Sequence, residues 1–317
     1  MIIWICFIAF MLIALALDLG VFNKTPHEIK TKEAATWTTI WVVIALLFSG
    51  MVYLSFDYNW VHNPTQLTPT DALLKYITGY LIELSLSIDN IFVIALIFSS
   101  FSIPRKYQHE VLFYGIIGAI VFRALMIIFG VALINRFSWI IYIFGGFLLI
   151  TALKMLFTKD KNKDPKDSKL YVWISKIYPV TTETDGDHFF IRKNGIKHAT
   201  PLFVALIIIE FTDIFFAVDS IPAILAITAD PFIVFTSNIL AIMGLRSMFF
   251  LVSGMLKKFK YMSYSLVIIL AFVGIKMILS HHIQFPEWLS LTVIISALIG
   301  GAVASSIHTS KNNIKAL

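Results

Sequence analysis

"IELSLSIDNIF" (residues 82–92) and "IIEFTDIFFAVDSIPA" (residues 208–223) place ionisable and amide side chains inside two long apolar runs. The polar candidates in them are Glu83, Asp89, Asn90, Glu210, Asp213, Asp219 and Ser220. A charged side chain at the centre of a bilayer costs roughly 2.5–3.5 kcal/mol even on the lenient insertion scale. Such residues therefore face one another, water or an ion. The two stretches predict membrane helices that surround a polar interior.

The composition is that of a membrane protein that crosses the bilayer many times. Hydrophobic residues make up 58% of the chain, whereas soluble domains contain about 45–50%. Crossing the hydrocarbon takes roughly 20 apolar residues. Nine predicted spans, numbered in chain order, lie near 2–22, 36–56, 72–99, 111–134, 138–157, 201–226, 232–256, 262–280 and 288–307. We therefore expect an all-α polytopic membrane protein.

Lysine and arginine are unequally distributed between alternate connections. They are frequent in 23–35, 100–110, 158–200, 257–261 and the C-terminal tail, whereas 57–71, 135–137, 227–231 and 281–287 contain only Arg136. Cytoplasmic loops carry an excess of basic residues. This predicts an N-terminus outside and a C-terminus in the cytoplasm, in a bacterial inner membrane. It also supports nine spans, because a miscounted helix would invert the sign of every later loop.

Scarce residue types and missing motifs exclude several classes of function. The single cysteine, Cys6, excludes disulfides, a CxxC redox pair and a thiolate metal site. In a membrane protein the formal net charge of +6 records loop orientation, so we expect the lipid bilayer and no nucleic acid as a partner. No motif of a hydrolase, a metalloprotease or a nucleotide-binding enzyme stands in a usable context. We therefore expect neither an enzyme nor a bound cofactor.

The chain contains an internal repeat. In one copy Asp89 follows Glu83 by six residues, and in the other Asp219 follows Asp213 by six. Two further pairs of similar segments follow in the same order: "FRALMIIFG" (122–130) with "LRSMFFLVSG" (245–254), and "TALKMLF" (151–157) with "VGIKMIL" (273–279). The spacing from the arginine to the lysine is 31 residues in the first copy and 30 in the second.

Each copy holds three spans, numbers 3–5 and 6–8. Because three is odd, the copies cross the membrane in opposite senses and form an inverted repeat. Secondary transporters often use this plan, with the substrate site near the midplane at the repeat interface. The predicted organisation is two flanking spans (1–71), repeat 1 (72–157), a cytoplasmic loop (158–200), repeat 2 (201–280), and a last span with a cytoplasmic tail (281–317).

Basic residues accompany the acids within the repeats. They are Arg123, Arg246, Lys154 and Lys276. One interpretation is structural, with each arginine neutralising one acid. The five acids outnumber the two deep arginines, however, and lysines near helix ends can reach the interface. The surplus of carboxylates predicts a cation site. Its oxygen donors, to which Asn238 is a further candidate, suit Mn²⁺, Mg²⁺ or Ca²⁺.

Proline at position 222 predicts a helix break close to these acids. Because Pro222 has no N–H, the carbonyl of Val218 loses its partner and becomes a potential ligand beside Asp219. The alternative is a structural kink. Asp213 and Asp219 are separated by about 240° at 100° per residue, so an unbroken helix would not direct the acids of span 6 to one face. Either the helix unwinds or one acid serves an arginine.

The loop 158–200 is the only soluble segment of any size. Its first part, "TKDKNKDPKDSK", predicts a solvated linker. Asn194-Gly195 lies between two short β-prone arms and predicts a hairpin. The loop is too short for an independent core, and it is a candidate docking region for soluble partners.

Seven segments distributed over nearly the whole chain look like the signatures of one family. They are "ALDLGVF", "GYLIELSLSIDNIFV", "YQHEVLFYGIIGAIVFRA", "YIFGGFLLITALKM", "ATPLFVALIIIEFTDIFFAVDSIPAI", "DPFIVFTSNILAIMGLRSMFFL" and "GIKMIL". They resemble the TerC family of integral membrane proteins. That family is named for tellurium resistance, and its members are linked to manganese export and to metal and alkaline stress. The resemblance implies Mn²⁺ as the transported substrate and carries the role of the acidic motifs onto Glu83, Asp89, Asn90, Asp213, Asp219 and Ser220.

Export of a divalent cation against an inside-negative potential costs about 4.6 kcal/mol per 100 mV. The hypothesis is therefore a secondary exporter driven by returning protons, or by Na⁺, in which Asp89 and Asp219 bind the metal when ionised. The alternative is a membrane scaffold of a metal or tellurite stress-response complex, in which the buried charges are structural.

Overall fold

The computed structural model describes residues 2–17, 29–63, 66–137, 139–157, 169–181, 185–193, 195–253, 261–279, 283 and 285–314. The elements are α1 (Ile2–Leu17), α2 (Thr31–Asp57), α3 (Pro69–Ser100), α4 (Arg105–Arg136), α5 (Ile140–Phe157), α6 (Lys169–Ile177), β1 (Phe190–Lys193), β2 (Ile196–Ala199), α7 (Pro201–Leu225), α8 (Pro231–Ser253), α9 (Met262–Leu279) and α10 (Glu287–Ile314). The all-α architecture is confirmed. The predicted span ends at 18–22, 138, 254–256 and 280, and the linker at 158–168, lie outside the described residues.

Each predicted span coincides with a helix: spans 1–5 with α1–α5, and spans 6–9 with α7–α10. Among the described residues, seven helices are long and apolar enough to cross a membrane. The other two, α1 and the apolar part of α9, are shorter. The short helix α6 is an addition that hydropathy does not predict.

Local sequence sets where the central helices begin. Thr68 caps α3 by accepting a hydrogen bond from the Asp71 N–H (3.2 Å), and Pro69 occupies the first turn, where no N–H is needed. Asp230 caps α8, since its Oδ1 accepts hydrogen bonds from Phe232 and Ile233 N–H (both 3.0 Å). These caps fix the ends of two helices that carry buried polar groups.

Helix α8 lies at the centre of the bundle. In its most apolar 18-residue stretch 89% of the residues are buried, against 22% in the corresponding stretches of α5 and α10. α3 packs on α8, α4 on α7, and α5 on α9. If α3, α4 and α5 are exchanged with α7, α8 and α9 in that order, the first two pairs exchange places and the third is unchanged. The packing thus has the pattern expected of a two-fold repeat, while its inverted orientation stays a prediction.

The segment between α5 and α7 contains the predicted hairpin. β1 and β2 are antiparallel with Lys193 opposite Ile196, and Gly195 in the turn has a φ of +80°. The hairpin is attached to two membrane helices, since Phe189 contacts Tyr114 of α4 and Phe190 contacts Phe203 of α7, with ring centroids 5.3 and 4.5 Å apart. Helix α6 packs against α7, and its buried Ile174 belongs to an apolar cluster against which Phe189 also packs. The module is thereby joined to α4 and α7.

Candidate functional site

A network of buried polar side chains lies where α3, α4, α7 and α8 meet. Arg123 of α4 donates two hydrogen bonds to Asp213 of α7, from Nε to Oδ2 (3.2 Å) and from Nη2 to Oδ1 (3.0 Å). Its Nη1 forms an ion pair with Glu83 of α3. Their exposed fractions are 2% for Arg123, 4% for Asp213 and 1% for Glu83. One carboxylate from each predicted repeat thus shares a single guanidinium.

Two asparagines complete the network. Asn238 of α8 accepts from Nη1 of Arg123 (3.2 Å) and donates to Oε2 of Glu83 (3.0 Å). Asn90 of α3 donates from Nδ2 to Oδ1 of Asp213 (2.9 Å). Both asparagines are buried. Four helices are therefore tied together through one arginine.

The network carries a formal negative charge, because two carboxylates face one guanidinium. In a low-dielectric interior an uncompensated charge is unfavourable, so the network favours a further positive charge, either a proton or a bound cation. Two buried oxygens on α3, Oδ1 of Asn90 and Oγ of Ser87, have no hydrogen-bond partner among the described residues. Oxygen atoms of this kind are the donors that hard cations prefer.

A small cavity adjoins the network. It measures about 20 Å³, and its wall is mostly apolar, with Asn90, Asp213 and Arg246 as the polar residues that line it. A space of this size has room for one water molecule. The cavity therefore leaves room for one small ligand beside Asp213, in largely apolar surroundings.

Asp219 lies apart from the network. It accepts a hydrogen bond from Thr151 Oγ1 of α5 (3.1 Å) and lies near Lys154 of the same helix. Because α7 is helical between positions 213 and 219, the two acids are directed to different neighbours, as their separation of about 240° requires. Of the two alternatives given by the sequence, the structure shows the one in which an acid serves an arginine.

Glu210 occupies a notch on α4. Its carboxylate lies against Gly118, where a side-chain Cβ would overlap with the carboxylate oxygens. Its Oε2 is buried and has no hydrogen-bond partner in the described part of the chain. Asp213 is close enough to interact with it electrostatically. Glycine at 118 thus gives this carboxylate its place between α4 and α7.

The other predicted site residues have separate locations. Arg246 of α8 is partly buried beside the cavity, and Lys276 of α9 donates to Oγ of Ser290 on α10 (2.8 Å). Ser220 is buried next to Glu83. The backbone of Asp89 is part of α3, but its side chain is not among those that the structure describes.

The helix break predicted at Pro222 is wrong. α7 stays helical from Pro201 to Leu225 with Pro222 inside it. Proline removes one hydrogen bond, but neighbouring helices can hold the backbone despite that loss. The flanking residues Ile221, Ala223 and Ile224 are at most 2% exposed, and their packing keeps the helix continuous.

The predicted metal ligands are not gathered around one point. Among the described side chains, which exclude that of Asp89, no three His, Cys, Asp or Glu residues lie close enough together to hold a metal ion. The structure brings together Glu83, Asn90 and Asp213, with Ser220 beside Glu83. Asp219 and Glu210 lie outside this hydrogen-bonded network. A metal bound at Asp213 would therefore use amide or hydroxyl oxygens as well, or would require the helices to move.

Sequence patterns do not single out Thr151 and Gly118. Both are small residues in apolar runs, and their roles become visible through their spatial neighbours, Asp219 and Glu210. One weak signal exists for Thr151, because it precedes Lys154 by three residues and so shares a helix face with it.

Comparison with known proteins supplies the relatives of this chain. The family model described as "Integral membrane protein TerC family" matches residues 68–313. An uncharacterized membrane protein of Myxococcus xanthus is 48% identical over 309 residues, which cover 98% of this chain and 93% of the relative. One from Rickettsia bellii is 44% identical over 305 residues, covering 96% and 97%.

A further relative is Alx of Escherichia coli strain K12. It is 43% identical over 297 residues, which cover 93% of this chain and 91% of Alx, and its name gives it a proposed role as a membrane-bound redox modulator. No solved structure matches the chain significantly.

Proposed function

Since this chain belongs to the TerC family of integral membrane proteins, we propose that it exports divalent metal ions, Mn²⁺ above all, from the cytoplasm through the polar interior of α3, α4, α7 and α8. The observation that carries the proposal is the surplus of buried negative charge, with two carboxylates around Arg123. The acids Glu210 and Asp219 add to that surplus on the same helix as Asp213.

The donor chemistry favours a hard cation. The oxygens near the cavity belong to a carboxylate and an amide, those of Asp213 and Asn90. Mn²⁺, Mg²⁺ and Ca²⁺ take such ligands, whereas softer metals prefer thiolates. The chain has one cysteine, Cys6, which is exposed on α1. Within this group of hard cations we propose Mn²⁺, on the basis of the family resemblance.

The protein's own residues suggest how an ion is bound and released. Arg123 occupies both carboxylates in this arrangement, so a divalent ion that binds at Asp213 competes with the guanidinium for the same oxygens. Protonation of a carboxyl group weakens its hold on a cation. Returning protons, or Na⁺, would therefore displace the metal and supply the roughly 4.6 kcal/mol per 100 mV that export requires. The proposal places the N-terminus outside a bacterial inner membrane.

Manganese content under manganese load tests this function. Cells lacking the protein are complemented with wild type, Asp213→Asn, Asp219→Asn or Asp187→Asn, and metal content is measured by mass spectrometry. Asp213 is the proposed binding residue, Asp219 lies on the same helix, and Asp187 lies in the segment between α5 and α7. We therefore expect wild type and Asp187→Asn to lower manganese, and Asp213→Asn and Asp219→Asn to fail. If wild type leaves manganese unchanged, the export function is wrong.

The second candidate is a scaffold for soluble partners. Its support is the hairpin module, which aromatic contacts join to α4 and α7. A scaffold keeps its function in Asp219→Asn and loses it when the hairpin is removed, which is the opposite of the result expected for an exporter. The single exposed cysteine offers no second thiol for a redox pair. A redox role like the one in the name of Alx would therefore be indirect under either candidate.

A further inference from the structure

The two arginines at matching positions of the predicted repeats lie in different surroundings. Arg123 is 2% exposed and enclosed by Glu83 and Asp213. Arg246 is partly buried and borders open space on two sides of α8. An inverted-repeat transporter works by giving its two halves opposite conformations in turn. A difference between equivalent residues is therefore informative about the path of the ion.

Two small cavities meet at Arg246. The inner cavity is the one beside the network, lined by Asn90 and Asp213. The entry cavity, also about 20 Å³, lies between α2 and α8 and is lined by Glu33, Ala34, Trp37 and Trp41. Among the residues that the structure describes, Arg246 is the only one that borders both.

The entry cavity lies at the predicted cytoplasmic end of the bundle. Glu33 belongs to the first turn of α2, which begins at Thr31. The preceding connection is basic and is predicted to be cytoplasmic. The cavities thus form an interrupted line from the cytoplasmic end of α2, past Arg246, to Asp213.

We infer that Arg246 is the gate between the cytoplasm and the buried network, and that Arg123 closes the opposite side. The inference rests on the proposed function. A guanidinium in a narrow passage repels a cation and blocks it sterically, so the passage opens when Arg246 moves aside. In the opposite state the arginines exchange roles: Arg246 approaches Asp213, and Arg123 is released.

This arrangement links ion binding to the exchange of roles between Arg123 and Arg246. Two carboxylates hold one guanidinium firmly and cannot hold two arginines and a divalent ion together. An ion that binds at Asp213 weakens the hold on Arg123, and an ion that leaves makes the carboxylates available again. Exchange of the arginines would thereby follow the loading of the site.

Accessibility of introduced cysteines tests the gate without measuring transport. Cys6 is the only cysteine in the chain, so Cys6→Ser gives a cysteine-free background. Ala34→Cys reports on the entry cavity and Ala119→Cys on the inner cavity. Each is combined with Arg246, Arg246→Gln or Arg246→Lys. Inside-out vesicles in nitrate buffer are treated with silver ions, and unreacted thiols are counted after denaturation by a maleimide gel shift.

We expect Ala34→Cys to react at the same rate in all three backgrounds. Ala119→Cys should react slowly with Arg246 or Arg246→Lys, and faster by about tenfold or more with Arg246→Gln, the effect of a barrier lowered by about 1.4 kcal/mol. Equal rates for Ala119→Cys in all backgrounds would overturn the gate. So would a rate that rises equally at both positions, since the substitution would then have loosened the bundle.

The gate and the export function fail in distinguishable ways. If the rate at Ala119→Cys depends on residue 246 while wild type does not change cellular manganese, the passage exists and its cargo is wrong. If wild type exports manganese while the rate does not depend on residue 246, the ion takes another path.

Discussion

At the scale of single residues, the sequence predicts which groups are buried but not which of them meet. Its surplus of acids over deep arginines appears in the structure as two carboxylates around Arg123. The rotation of 100° per residue in an α-helix correctly predicts that Asp213 and Asp219 face different neighbours, because that rotation is a property of the backbone. It cannot predict that Thr151 bonds Asp219, because that depends on which helix packs against α7.

Removing the positive charge of the network and removing one of its negative charges should have unequal effects on stability. Arg123→Gln leaves two buried carboxylates without a cation, and we expect the free energy of unfolding to fall by about 3–5 kcal/mol. Asp213→Asn leaves one carboxylate beside one guanidinium but removes one of the two oxygens that accept from Arg123, so we expect a smaller loss of about 1–3 kcal/mol together with loss of transport. Unfolding of both variants in detergent measures this. Equal destabilisation would contradict a negatively charged network.

The cap of α8 gives a pH-dependent prediction. Burial raises the pKa of Asp230, which lies between α7 and α8, above its ordinary value, so its ionised form destabilises the folded protein. Asn keeps the acceptor for Phe232 and Ile233 N–H. We expect Asp230→Asn to be at least as stable as wild type at about pH 7, with the difference shrinking towards about pH 4 as wild-type Asp230 is protonated.

Asp230→Ala is the matched control for that experiment. It removes the acceptor as well as the charge, so it should lose about 1 kcal/mol of stability through the missing cap. Thermal unfolding at both pH values compares the three proteins. If Asn and Ala destabilise equally, the carboxylate charge rather than the cap holds the start of α8.

At the scale of helices and strands, hydropathy predicts each long helix because a span needs roughly 20 apolar residues. It misses α6, whose nine residues are too few to give that signal. The missing N–H of Pro222 wrongly predicts a helix break, because the packing that keeps α7 continuous comes from other helices. The hairpin is predictable because a two-residue turn with Gly195 at positive φ is a local requirement.

The crossing of α5 and α9 should tolerate no added side chain. A Cβ at Gly145 would lie 2.7 Å from Cγ1 of Ile278 and 3.0 Å from the Gly274 carbonyl oxygen, whereas a Cβ at Gly146 would have no atom within 4 Å. We expect Gly145→Ala to destabilise the protein by about 1–3 kcal/mol. Gly146→Ala is the control and should be neutral. Unfolding that is equal for the two variants would show that the helices do not cross closely at Gly145.

At the scale of the whole molecule, the order of the helices along the chain predicts two repeats that cross the membrane in opposite directions. The packing of the helices does not by itself show those directions. The pairs α3 with α8 and α4 with α7 are those that a two-fold relation would exchange. Such packing is also compatible with parallel repeats, since it does not record the side of the membrane on which a helix begins. The distribution of lysine and arginine supplies that information, because it reflects insertion into the membrane.

Sidedness of the two repeats is therefore the deciding property, and two cysteines measure it. In the Cys6→Ser background, Thr70→Cys marks the start of α3 and Lys197→Cys the approach to α7, and both positions are exposed. With opposite orientations, an impermeant maleimide should label Thr70→Cys from outside intact cells and Lys197→Cys only in inside-out vesicles. Labelling of both from one side would make the repeats parallel. The arginine exchange would then lose its basis, because parallel halves would not present Arg123 and Arg246 to opposite faces.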